Sequence, residues 1–164
     1  MRYKDKEHWE IDFRKRLNEY KVSDVQGFPI SIKIGVYNGC FHNEHSPNAY
    51  QEIYDYREKN QLDCGYEEHE SGPEVLAWIA LGTAGLTLSK SVVDFVTAII
   101  NARTNGRKKG DHSNGNIKLI VRRYGNKGNI KEETILEISD TNTITNDTVE
   151  KAILTALKKD YNNK

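Results

Sequence analysis

Apolar positions in this chain are sparse and concentrated. The stretch Pro73–Ile100, PEVLAWIALGTAGLTLSKSVVDFVTAII, holds three charged residues in twenty-eight, although 29% of the whole chain is charged. From Val75 to Leu88 it is apolar nearly all round, apart from Thr83 and Thr87. From Ser89 it turns amphipathic, with Val92, Val93, Val96, Ile99 and Ile100 on one stripe and Lys90, Asp94, Thr97 and Asn101 opposite. A run of this length with a 3.6-residue period predicts one long helix starting at Pro73. Gly82 and Gly85 weaken it and predict a kink. Lys90 and Asp94, four apart, are placed to pair along its surface.

The other elements follow from shorter patterns. In residues 5 to 20 (DKEHWEIDFRKRLNEY), Trp9, Phe13, Leu17 and Tyr20 fit a helix and Trp9, Ile11 and Phe13 also fit a strand; the longer pattern favours a helix. Ile30, Ile32, Ile34 and Val36 alternate with Ser31, Lys33 and Gly35, which predicts a strand ended by a turn at Asn38-Gly39. Ser46-Pro47 reads as a cap followed by proline at the first helical position, opening a helix to about Asn60. Asp63 to Gly72 reads as an acidic loop, and Asn105 to Asn116 as a mobile polar linker. Ile117–Tyr124 and Ile130–Ile138, joined by GNKGN, predict a β-hairpin. Thr145-Asn146-Asp147 caps a last helix with Val149, Ile153, Ala156 and Leu157 on its apolar stripe.

These elements sum to an α+β protein: a long central apolar helix packed on a small, partly antiparallel sheet, with a β-hairpin and a C-terminal helix. At 164 residues the length fits a single domain, 1–164. Within it residues 1–72 read as an N-terminal strand and helix elaboration, and residues 73–164 as the apolar helix, hairpin and last helix. Net charge is zero, so global electrostatics favour no partner. The charge is unevenly spread: residues 40 to 71 carry eight acids and two bases, residues 103 to 131 nine bases and one acid. Neutralisation within the fold is the preferred account of these blocks.

The apolar stretch carries a second reading. Residues 75–100 span 26 positions, about 39 Å as a helix, enough to cross a bilayer. Lys90 and Asp94 argue against it, and the hairpin and last helix each have an apolar face that needs covering. A buried helix is therefore preferred over a membrane anchor. MRYKDKEHWE has no apolar core and reads as no secretory signal. Two cysteines make no disulfide framework, so a cytoplasmic protein with reduced thiols is expected.

Candidate chemistry centres on Cys40, His42 and His45, with Cys64 and His69 downstream. Thiolate and imidazole are natural zinc ligands, and four such groups make a tetrahedral site. The C-x-H-x2-H cluster follows a strand end but matches no standard zinc module, and two ordinary cysteines beside polar loops are the preferred account. The zinc alternative is carried on Cys40, His42, His45 and Cys64. A Cys40–His42 nucleophile lacks a marked orienting carboxylate. Glu67-Glu68-His69-Glu70 offers cation ligands, with solvated charge as the ordinary account. The basic residues Arg103, Arg107, Lys108, Lys109, Arg122, Arg123 and Lys127 have one aromatic nearby, Tyr124, so a solvated face is preferred over nucleic-acid binding. No P-loop, G-x-G-x-x-G or G-x-S-x-G occurs.

The order of elements over residues 73 to 159, an apolar helix (PEVLAWIALGTAGLTLSKSVVDFVTAIINAR), a basic linker, a hairpin (IKLIVRRY, TILEI) and a short final helix (DTVEKAILTAL), resembles the effector-associated constant component family. These are small modules that accompany effectors in bacterial conflict and defence systems. The resemblance implies a non-enzymatic adaptor that associates with an effector or partner protein, and it transfers no catalytic residue. The expected contact surface draws on Tyr50, Tyr54 and Tyr56 or on Arg122 and Tyr124 of the hairpin; homo-oligomerisation is compatible with it.

Overall fold

The computed structural model describes residues 11, 12, 15, 28–37, 39–82, 85–112, 115–124, 130–139 and 142–162. The helix expected over residues 5 to 20 falls mostly outside this set; Ile11, Asp12 and Lys15 are helical. The fold is mixed α+β, with six strands in one sheet. They are β1 (Phe28–Val36), β2 (Gly65–His69), β3 (Gly72–Gly82), β4 (Gly85–Leu88), β5 (Ile117–Tyr124) and β6 (Ile130–Ile138). Beyond the helical residues at 11, 12 and 15, the described residues form three helices, α1 (Pro47–Lys59), α2 (Lys90–Lys108) and α3 (Asn146–Asn162).

The strand order is β2-β3-β1-β5-β6, and every described pairing is antiparallel. Ile79 pairs with Phe28 of β1 and with Leu88 of β4. Strand β4 therefore lies on the same side of β3 as β2, end to end with it. Because β1 sits between β3 and β5, residues 28–36 are the middle of the sheet and not an elaboration separable from residues 73–164.

The long helix expected from Pro73 to Ile100 is not formed. Its first part is β3, the chain reverses where Gly82 pairs with Gly85, and only Lys90 onward is helical. The physical reason lies in burial. On one face of the sheet Ile30, Ile32 and Ile34 sit beside Val75, Ala77, Leu119 and Val121, all at 1% exposure or less. On the other face Leu76, Trp78, Ser31 and Ile120 are also buried. A strand buried on both faces has no polar alternation and reads as a continuous apolar run, the same signal as a buried helix. The expected kink is a hairpin: Gly85 adopts φ +105°, which glycine reaches without a Cβ penalty.

Helix α2 keeps the amphipathic half of the expectation. Val92, Val93, Val96, Ile99 and Ile100 are at most 2% exposed, and Phe95 joins them. Lys90 Nζ pairs with Asp94 at 2.7 Å on the outer face. Helix α1 lies along α2, with Tyr56 stacked on Phe95 at 5.7 Å. Helix α3 and the segment entering it are tied to α2: Asn101 donates to the Ile144 carbonyl (3.1 Å) and accepts from its amide (2.9 Å), and Asn146 donates to Asp94 (2.8 Å).

No described helix is long and apolar enough to cross a membrane. The spanning reading of residues 75–100 fails because 75–82 form a sheet strand and not a helix, with 75–79 laddered to β1 and 79–82 to β4. The mobile linker is also corrected. Helix α2 runs to Lys108, and Asp111 is buried.

Candidate functional site

The segment between β1 and α1 carries the chain's densest set of soft ligands, and its shape is fixed at four points. Phe41 is fully buried, packs edge-on against Tyr50 (5.4 Å), and its carbonyl accepts the Tyr50 hydroxyl at 2.7 Å. Phe41 is anchored inward, while its neighbours Cys40 and His42 are half-buried. The His42 carbonyl then accepts the amides of His45 (3.2 Å) and Ser46 (2.9 Å), a turn that brings the two imidazoles to 4.8 Å between centroids. The His45 carbonyl accepts the His112 amide at 2.9 Å. Last, the start of α1 is held by Asp111.

Pro47 occupies the first turn of α1 as expected, but Ser46 makes no capping bond. Asp111 does that work from 62 positions away. Its Oδ1 accepts the Asn48 amide (3.1 Å) and side chain (2.9 Å), and its Oδ2 accepts the Ala49 amide (2.9 Å). A carboxylate on the first-turn amides satisfies orphan donors and meets the positive end of the helix dipole. The approach depends on Gly106, where a Cβ would overlap Asp111 Oδ2 and lie 2.8 Å from the Ala49 nitrogen.

Cys40, His42 and His45 thus converge, with one ligand atom from each lying within 4.8 Å of the others; Cys40 and His42 are half-buried and His45 is exposed. Cys64, the fourth ligand expected, is not in the cluster. It is buried, and its thiol is pushed up to about 12, by burial first and by Asp63 next. A Cys40–His42 nucleophile gains no orienting carboxylate: His42 Nδ1 accepts the Glu44 backbone amide at 3.1 Å. Burial also raises Tyr50 and Tyr66 well above the usual phenol range, with Glu68 adding to both, so each stays a neutral donor.

A second cluster comes from residues expected to form a loop. Residues 65–69 are strand β2, and Glu67 stands directly opposite Glu74 of β3. His69 Nε2 lies 3.8 Å from an oxygen of each. Treating Pro73 as a helix start hid this pairing; alternation of Glu67 and His69 was the signal available.

The expected partner-binding tyrosines are divided. Tyr50 is a core residue and Tyr56 is stacked on Phe95, leaving Tyr54 exposed at 55%. On the hairpin, Arg122 pairs with Glu132 (2.9 Å) and Arg123, itself buried, with Glu133 (2.7 Å). Arg103 is 1% exposed and donates to the Gly115 carbonyl at 2.8 Å. Three members of the basic group are therefore engaged within the fold. Tyr124 closes the hairpin ladder opposite Ile130.

Comparison with family models, with curated proteins and with solved structures finds no match to this chain.

Proposed function

We propose that the protein is a non-enzymatic interaction component of a bacterial conflict or defence system, a cytoplasmic adaptor that associates with an effector or partner protein. Residues 73–82, the start of the apolar helix in the resemblance, are strand β3; the helix, basic segment, hairpin and final helix that follow from α2 are what supports the reading. The observation that carries the reading is the edge of β6. In the described sheet this nine-residue strand ends the order and pairs only with β5. An open edge accepts an extended peptide from a partner through main-chain hydrogen bonds. Lys131, Glu132, Glu133 and Glu137 line it, and such charges restrain a strand from pairing with its own copies while leaving a complementary partner admissible.

The test is co-expression with the products of neighbouring genes, followed by titration calorimetry on any complex recovered. In a strand, successive amides point to opposite sides. Of Lys131→Pro and Glu132→Pro, one removes an outward amide and the other a ladder amide. Binding should fall in the variant whose fold and stability are unchanged. Binding that survives both substitutions, or no complex with any neighbouring product, defeats the reading.

A further inference from the structure

We propose that Cys40, His42 and His45 bind a divalent cation of borderline softness, zinc by ligand chemistry, with three protein ligands and a fourth position taken by water. The site needs no contribution from Cys64 and does not rest on the adaptor reading.

Three observations carry it. One thiol and two imidazoles are a ligand set suited to zinc, and three ligands plus water is the arrangement of an open site. The three atoms lie within 4.8 Å of one another. Tetrahedral zinc with ordinary bond lengths places its ligands about 3.3–3.6 Å apart. Closing that gap asks for side-chain rotation in residues that are half-buried or exposed, with no change to the backbone. The backbone is already set: Phe41 is anchored in the core, His42 closes the turn, and His45 is tied to His112. Preorganisation of this kind separates a built site from a chance cluster.

The Glu44 amide bond to His42 Nδ1 fixes the neutral tautomer, with the proton on Nε2. Coordination through Nδ1 replaces that bond. Coordination through Nε2 moves the proton to Nδ1, which then no longer accepts. Either way the ion displaces this exposed hydrogen bond of His42, and the exchange is visible in the ring nitrogen shifts of His42. Binding also releases the Cys40 proton, so affinity rises with pH. The Glu67–His69–Glu74 cluster is the weaker candidate, because one imidazole and two carboxylates without a thiolate are a harder ligand set, less suited to this class of ion.

The experiment uses the full chain, purified without a histidine tag and stripped with chelator, then titrated with Co2+ and with Zn2+. One equivalent of Co2+ should give a thiolate-to-cobalt charge-transfer band and the intense visible bands of a four-coordinate ion, and Zn2+ should displace both. Cys40→Ser should abolish the charge-transfer band. His45→Ala should weaken binding at least about tenfold, the scale on which even outer-shell changes act. His69→Ala should leave both signals unchanged. Unaltered circular dichroism in the variants keeps loss of metal distinct from loss of fold. Absence of the charge-transfer band in the wild-type chain, retention of it in Cys40→Ser, or its loss in His69→Ala overturns the assignment. Failure of partner binding in the adaptor experiment leaves it untouched.

Discussion

Replacing Asp111 by alanine removes the acceptor for two backbone amides and one side-chain amide at the start of α1. Asn48 is half-exposed and finds water, but Ala49 is fully buried. An orphaned buried amide costs about 1–3 kcal/mol. Losing the negative charge from the helix N-terminus adds about 0.3–2 kcal/mol. Together these give about 1–5 kcal/mol for Asp111→Ala, centred on about 3 kcal/mol. At about 2–4 °C per kcal/mol for a chain of this size, a loss of 3 kcal/mol lowers Tm by about 6–12 °C. Asp111→Asn keeps one carbonyl acceptor and should lose roughly half as much. Gly106→Ala, which in an open helix gains about 1 kcal/mol, should here destabilise by about 1–3 kcal/mol, because its Cβ overlaps the same carboxylate. The double variant should cost less than the two single effects added, since both act on one contact. Urea titration with a shared slope m measures each term. If Asp111→Ala lies within about 0.5 kcal/mol of wild type, the range of an ordinary surface change, the account of how α1 is held is wrong.

Alkylation at mildly alkaline pH, read by mass spectrometry, should modify Cys40 and spare Cys64 until the chain is unfolded, because burial holds the Cys64 thiol up to about 12. Equal rates at both thiols contradict the placement of Cys64. Arg123 holds the Glu133 carboxyl below its ordinary value of 4.5. That pair therefore adds stability above the unfolded value and loses it as pH falls through the lower folded value. Glu133→Gln should narrow the stability difference between neutral and acid pH, and an unchanged pH profile counts against the pairing. Tyr50→Phe removes the bond to the Phe41 carbonyl and should cost about 0.5–1.5 kcal/mol by thermal unfolding. No measurable loss would mean that this bond does not hold the segment bearing Cys40 and His42.

Elements with a polar partner at every second or fourth position were legible in the sequence. Strand β1 shows isoleucines against Ser31, Lys33 and Gly35, and the hairpin, α1, α3 and the stripe of α2 follow the same logic. Strand β3 was not legible, because Leu76 and Trp78 are buried as well as Val75 and Ala77 on the opposite face, and no periodicity survives. Misreading it also concealed β2, whose pairing partner was assigned to a helix. Three of the four expected zinc ligands come together because they are close in sequence and share one turn; Cys64 is separated by the whole of α1, and its burial depends on tertiary packing. The role of Asp111 was out of reach for the same reason: a cap supplied by a residue 62 positions downstream leaves no local signature.

The place of β1 has a bearing on synthesis. Its two flanking strands end at residues 82 and 124, so during elongation the earliest described strand waits for its second neighbour until residue 124 has been made. A ribosome emits about 5–20 residues each second, which leaves this isoleucine-rich segment unpaired on one side for seconds. Any product terminated before residue 117 would keep that side permanently bare, a template for clumping that quality-control proteases should clear.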